Sequence, residues 1–268
     1  MSPVAEYDTF ADIYEIWTST APVTTRNLPF YRQVCCETPG LVAELGVGTG
    51  RIAVEVAGAG KPIVGIDSSA EMLHRCRARA QAAGVLNRLT LIHADFRDFN
   101  LPQPAELITI PFHTIGHLVT MEDKRAGLRH IYDQLAPGGR LILDHFVFNP
   151  EAATRFGGVM LRDEYTNPDT GQDTLLWVTS RYDLEHQTIR IIAWTDEIDG
   201  VGVLVRRRYR RLSFSWLEPE QTRALLQESG FKIEALYGDF DRSPFREGSP
   251  EQIWVARRPF DSPLSLQS

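Results

Sequence analysis

Between Leu41 and Phe146, short apolar runs alternate with segments of helical pattern, and this alternation constrains the fold more than any other feature of the chain. The runs are LVAEL (41–45), PIVGID (62–67), LTLIHAD (89–95), ELITIPF (106–112) and RLILDHF (140–146). Between them lie helical patterns at Arg51–Gly58, Ser69–Gly84 and Met121–Leu135. Apolar strands interleaved with helices predict a parallel sheet joined by right-handed crossovers, the doubly wound α/β class. Gly84 after the second helix and Pro137-Gly138-Gly139 after the third supply turns where that layout needs them.

The flanks have a different rhythm. At the start, Phe10, Ile13, Tyr14 and Trp17 recur at helical spacing, which predicts an amphipathic helix over Tyr7–Trp17 within a helical lid at residues 1–31. The cofactor-sized α/β core then spans 32–150. Segments 174–184, 187–198 and 203–214 have strand composition with polar breaks and no helix between them. They predict an inserted antiparallel sheet of three or four strands over 151–215. A helix at Glu218–Ser229, burying Leu225 and Leu226 and stopped by Gly230, and strands near Lys232–Tyr237 and Gln252–Arg257 return the chain to the first sheet over 216–258. The polar end, residues 259–268, is expected to be a flexible tail.

Composition narrows the class. Twenty-eight basic against 35 acidic side chains give a net charge of −7, which suits a general nucleic-acid binder poorly. No apolar run is long enough to cross a bilayer, and MSPVAEYDTF has neither the basic nor the apolar part of a secretory signal. Cys35, Cys36 and Cys76 form no closed disulfide framework and no C-x-x-C pair. A cytoplasmic protein with no membrane or nucleic-acid partner is the expectation.

ELGVGTGRIA (44–53), directly after the first strand, places Gly46, Gly48 and Gly50 in a G-x-G-x-G turn. Such glycines let the backbone turn sharply and approach a ligand at a helix N-terminus. The dinucleotide fingerprint G-x-G-x-x-G requires glycine where this chain has Arg51, so nicotinamide oxidoreduction is disfavoured. Asp67 ends the second strand, overhanging the crevice where a carboxylate accepts from both hydroxyls of a ribose. Asp95 and Phe96 follow the third strand and suit the amine and the face of an adenine.

Together these residues resemble the class I S-adenosylmethionine-dependent methyltransferases. The matching motifs are ELGVGTG (44–50), GIDSSAEML (65–73), ADFRDF (94–99), LITIPFHTIGHL (107–118) and LAPGGRLILD (135–144), in the family's order. The resemblance implies a seven-stranded Rossmann-like sheet whose last strand is antiparallel, with S-adenosyl-L-methionine as cofactor and S-adenosyl-L-homocysteine as product. It also implies that Gly46, Gly48 and Gly50 serve the methionine part, Asp67 the ribose, Asp95 and Phe96 the adenine, with Ser68 and Met72 flanking the adenosine and Glu44 among the cofactor-binding residues. FHTIGHL (112–118) and YDTFADIYE (7–15) further resemble bacterial small-molecule members, aminosugar N-methyltransferases among them. In that group an N-terminal helix closes over the cofactor and an aromatic hydroxyl reaches it, a role matched here by Tyr7 and Tyr14. Its inserted sheet covers the acceptor pocket or forms a homodimer surface.

Methyl transfer is an in-line displacement on an electrophile already activated by its carrier, so the protein mainly positions the acceptor and excludes water. A base helps when the acceptor must lose a proton. His117, past the fourth strand, is the leading candidate, followed by His113 and then His145. His113 and His117 form an H-x-x-x-H pair, but Gly116 and the lack of a third ligand argue against metal. Glu122-Asp123 is explained by helix capping. Arg206–Arg211 alternates along a strand, either as a solvated face balanced by Asp183, Glu185, Asp196 and Glu197, or with arginines turned into the acceptor pocket. The cysteines read as buried small residues. Trp177, Tyr182, Trp194 and Trp216 line an apolar acceptor pocket or pack between the inserted sheet and the core.

The expected function is methyl transfer to nitrogen or oxygen of a small metabolite. The alternatives are a macromolecular enzyme acting on tRNA or protein, and a non-catalytic module that keeps the cofactor site.

Overall fold

The computed structural model describes residues 6–260 apart from 20, 152, 154–157, 168 and 169. Five parallel strands, β1 (Val42–Leu45), β2 (Ile63–Asp67), β3 (Leu89–His93), β4 (Ala105–Ile110) and β5 (Leu135–Phe146), form most of one sheet. β10 (Lys232–Tyr237) and β11 (Glu251–Arg257) complete it in the order β10-β11-β5-β4-β1-β2-β3. β11, the last strand, runs antiparallel to both β5 and β10.

Alternation along the strands feeds two cores. Ala43, Leu45, Ile108, Leu141 and Leu143 face α5 (Met121–Gln134) and α6 (Pro219–Glu228), where Leu128, Ile131, Leu225 and Leu226 close the layer. Val42, Leu107 and Ile142 face the other way, toward α2 (Val23–Glu37), α3 (Ala53–Gly58) and α4 (Ala70–Ala82). Helix starts follow their caps. Ser69 accepts from the Met72 N–H at 3.1 Å, and Thr120 from the Asp123 N–H at 3.0 Å. Glu218 and Gln221 form a reciprocal capping box before α6, with Pro219 in its first turn.

The second sheet is antiparallel, in the order β6-β7-β8-β9: β6 (Met160–Thr166), β7 (Asp173–Asp183), β8 (Thr188–Ile198) and β9 (Leu204–Ser215). Three of these strands are legible by composition. β6 is too polar to stand out, with Arg162, Asp163 and Glu164 in its centre.

Two expectations are corrected. The chain over Tyr7–Trp17 is not one helix: a 3-10 turn at Glu6–Thr9 leads through turns to α1 (Tyr14–Ser19). Phe10 and Ile13 are fully buried against Leu176, Ala193 and Leu212 of the inserted sheet, and that packing bends the segment into a strap. The boundary at 31/32 falls inside α2, whose Pro29 interrupts the helical pattern in sequence. Of the tail, Phe260 lies over Gly138, while 261–268 lie outside the described residues.

Candidate active site

A cavity of about 270 Å³ opens at the carboxyl ends of β1 to β4, where the strand order reverses between β1 and β4. Its wall includes Gly46 and Gly48 after β1, Asp67, Ser68 and Met72 from β2 into α4, and Asp95, Phe96 and Arg97 after β3. Phe112, Thr114, His117, Leu118 and Val119 come from the loop after β4, Asp123 from α5, and Tyr7 and Tyr14 from the strap.

The glycine turn is shaped by close approach. Gly46 has φ 68°, and a Cβ there would lie 2.3 Å from the Thr114 methyl. Gly48 has φ 54° and sits beneath the Tyr14 hydroxyl. Gly50 is not on the cavity wall; it faces Cys76, whose sulfur would be 2.5 Å from an added Cβ. Glu44 also lies behind the turn, 3% exposed, and burial pushes its carboxyl up to about 8 against the pull of Arg51. Its Oε2 is buried without a hydrogen-bond partner.

Asp67 accepts the Gly48 N–H at 2.8 Å on one oxygen and the Ser69 N–H at 2.9 Å on the other. Burial raises its pKa, and these two bonds oppose the rise. Asp95 is engaged more fully: Oδ1 accepts from the Arg97 N–H and Nε at 2.9 and 2.7 Å, and Oδ2 from an Arg97 terminal nitrogen at 2.8 Å. Those bonds hold the Asp95 pKa down. Arg97 also pairs with Asp123, so that carboxylate does more than serve the helix end. Arg97 gives no sequence signal of its own, because a lone arginine in a loop looks like any solvated charge.

The strap closes the opposite side. Tyr7 Oη lies 2.9 Å from His117 Nε2. Burial lowers the His117 pKa to about 4, against an opposing hydrogen bond to the Ser213 backbone. His117 is therefore neutral at pH 7. With the Ser213 backbone taking the proton on one ring nitrogen, Nε2 accepts from Tyr7. Burial holds the Tyr7 pKa well above its ordinary value, so the hydroxyl remains a donor. The acids of the strap grip both sheets. Asp8 accepts from Ser69 Oγ at 2.6 Å, and Glu15 from Thr49 Oγ1 at 2.5 Å and Arg79 at 2.9 Å. Glu6 accepts from the Ser213 N–H at 2.7 Å, and Asp12 pairs with Arg208 and the buried Arg210.

His113 and His117 do not act together. His113 turns away from the cavity and lies 2.8 Å from Glu251, so its expected catalytic position is corrected. Burial pushes its pKa down, but Glu251 and Asp144 outweigh burial and raise it. His113, Asp144 and Glu251 offer ligand atoms within 4.8 Å of one another. Three of the four Asp144 lone-pair sites are already used by Tyr31, Phe112 and His113, and Arg26 lies 3.8 Å from Glu251, an arrangement balanced as ion pairs. His145 is fully buried behind the wall.

The arginine run alternates as expected but does not line the cavity. Arg206 pairs with Glu197, Arg207 with Asp196, and Arg208 and Arg210 with Asp12. The tryptophans are also away from the cavity. Trp216 stacks on Phe148 at 4.0 Å, while Trp177 and Trp194 stand in register with Leu161 and Tyr209 across the outer face of the inserted sheet. Cys35 and Cys76 are buried, whereas Cys36 is exposed.

A family model described as a methyltransferase domain matches residues 42–139. The cypemycin N-terminal methyltransferase of a Streptomyces species is 26% identical over 217 residues, covering 81% of this chain and 82% of that protein. An uncharacterized methyltransferase of Oceanobacillus iheyensis is 30% identical over 159 residues, covering 54% of this chain and 70% of that protein. The chain belongs to the methyltransferases. This methyltransferase spans about half the length of several other curated relatives it matches. Its fold is that of the CcbJ methyltransferase from Streptomyces caelestis, with a TM-score of 0.77 and 23% identity over 97% of this chain and 100% of the other. The sugar N-methyltransferase KedS8 from a Streptoalloteichus species has a TM-score of 0.70 and 19% identity, covering 92% of each chain.

Proposed function

We propose that this methyltransferase transfers the methyl group of S-adenosylmethionine to an amine nitrogen of a small-molecule acceptor. The carrying observation is the Tyr7 hydroxyl donating to a neutral, half-buried His117 inside the cavity. A phenol or alcohol must lose a proton as it attacks, and a histidine held near 4 is a weak base for that task. An amine needs only to arrive neutral. With its proton committed to His117, the Tyr7 oxygen keeps lone pairs that accept an amine N–H and aim the nitrogen at the methyl. His117 then acts by holding Tyr7, and the proton of the methylated amine passes to solvent. The names of the cypemycin N-terminal and sugar N-methyltransferases, both amine-directed, support the same reading.

The cofactor side rests on groups already poised for it. Asp67 holds the Gly48 and Ser69 amides on separate oxygens and keeps acceptor capacity for the ribose hydroxyls. Asp95 keeps a single unused site, on Oδ2, for the adenine amine beside Phe96. Glu44, buried behind the turn, backs that wall rather than lining it. Gly46, Gly48, Ser68, Met72 and Tyr14 complete that wall, and Gly50 keeps the turn tight from behind. When bound, S-adenosylmethionine supplies an activated methyl on a sulfonium. The chain supplies position, a dry cavity and a neutral relay. The outer face of the inserted sheet, where Trp177, Trp194 and Tyr209 align, suits a homodimer contact.

Calorimetry with S-adenosylhomocysteine and a radiolabelled-methyl assay over a panel of amines and phenols tests this. Tyr7→Phe and His117→Phe should lower kcat on the accepted amine by more than they weaken cofactor binding, and activity should rise with pH up to the acceptor's own pKa. Selective turnover of phenols, or full activity in both variants, would refute it.

A further inference from the structure

The loop from Pro111 to Leu118 carries Phe112, Thr114 and His117 to the cavity while sending His113 the other way. It does so through an uncommon backbone: Phe112 and His113, neither of them glycine, are both left-handed, with φ 59° and 60°. A pair of bulky residues does not hold that conformation unaided. Its support is visible. Asp144, fully buried at the end of β5, accepts the Phe112 N–H at 3.0 Å on Oδ1 and the His113 N–H at 2.9 Å on Oδ2. Each carboxylate oxygen thus takes one amide of the left-handed pair. Tyr31 of α2 donates its hydroxyl to Oδ1 at 2.5 Å and fixes the carboxylate from behind.

The far end of the loop is held by the opposite charge. The buried Lys124 ammonium donates to the Leu118 carbonyl and, at 2.6 Å, to Ser215 Oγ, which in turn donates to the Gly116 carbonyl at 2.9 Å. An anion gathers the amides where the loop begins, and a cation gathers the carbonyls where it ends. The Thr114 methyl between them lies against Gly46, so a shift of the loop reaches the glycine turn directly.

We propose that Asp144 is a positioning residue: its two oxygens clamp the left-handed Phe112–His113 pair and so set where Phe112, Thr114 and His117 stand in the cavity. The proposal rests on the methyltransferase reading of that cavity. It separates Asp144 from a simple buried ion pair, because the groups it holds are backbone amides whose geometry decides which side chains face the ligand.

The test is Asp144→Asn, which keeps the volume but replaces one acceptor with an amide. Amide hydrogen exchange at Phe112 and His113 should quicken by at least about 10-fold, and S-adenosylhomocysteine should bind about 10-fold more weakly. Tyr31→Phe should move both readouts the same way by about 3-fold. The distinguishing arm is rescue. In a His113→Gly background, where the left-handed position costs little, Asp144→Asn should weaken binding by no more than about 3-fold. Wild-type exchange and affinity in Asp144→Asn would overturn the clamp, as would an undiminished loss in the glycine background. If Asp144→Asn does not fold, Tyr31→Phe decides by the same two readouts. Failure of the wild-type protein to bind S-adenosylhomocysteine would instead count against the cofactor reading, and the exchange rates would still judge the clamp.

Discussion

The two walls of the cavity are built on opposite principles. The glycine-turn wall, from Gly46 to Arg97, comes from three successive strand ends of a parallel sheet, and its neighbours in space are near-neighbours in sequence. The strap-and-loop wall joins Tyr7 to His117 across 110 residues, and its halves meet only because the inserted sheet supports both. The first wall is rigid because strand ladders fix it. The second depends on side-chain anchors: Phe10 and Ile13 in the inserted sheet's core, and Glu6, Asp8, Asp12 and Glu15 distributed between the two sheets. A site that must admit and release ligands gains from having one wall of each kind.

This contrast can be broken most severely at Phe10. Phe10→Ala removes a fully buried ring and should destabilise the strap's packing by about 3–5 kcal/mol, measured by denaturant unfolding, unless the strap unfolds separately at lower cost. A strap that melts independently would itself sharpen the contrast.

The next effect belongs to His117. Burial holds its folded pKa near 4, below the ordinary value of about 6.5, so its contribution is present above about pH 6.5 and lost as pH falls through 4. His117→Gln should flatten the acid-side loss of stability by about 2–3 kcal/mol between those limits, read from urea midpoints at a series of pH values. An unchanged slope would show that His117 is not the group responsible.

On the glycine-turn wall, Asp67→Ala should weaken S-adenosylhomocysteine binding by about 100-fold and, by orphaning the Gly48 and Ser69 amides, lower stability by about 1–3 kcal/mol. Equal affinity in calorimetry would remove Asp67 from the site. The smallest effect is expected at Asp12→Asn. It weakens the pairing of buried Arg210 with a partly exposed carboxylate and should cost about 1 kcal/mol, with looser strap closure seen as faster amide exchange over Glu6–Ser19. Loss of exchange protection around Gly46–Gly50 instead would mean that the two walls are not separable.

Much of the glycine-turn wall is legible in the sequence alone. Motif and strand position point to Gly46, Gly48, Asp67, Asp95 and Phe96, the family resemblance adds Ser68 and Met72, and all of them line the cavity. Glu44 and Gly50 belong to the same motif but stand behind the wall. On the other wall the sequence points to Tyr7 and His117 but not to their contact, and it singles out none of Phe112, Thr114, Leu118 and Val119 as cavity residues. Asp123 reads there only as a helix cap. His113 departs from its expected place because strand-loop sequences do not announce a left-handed pair of non-glycine residues. The helix α2 is hidden by Pro29, although its Tyr31 secures Asp144.

By itself, the sequence determined the parallel sheet, its crossovers and the crevice residues, because apolar periodicity and turn glycines act over a few residues and need no distant partner. Tertiary structure alone decided that the strap bends, that Arg206, Arg207, Arg208 and Arg210 are spent on acids rather than on an acceptor, and that Asp144 turns Phe112 toward the cavity and His113 away. Those outcomes depend on pairings between charges, rings and amides far apart in the chain, and no local pattern encodes which partner arrives.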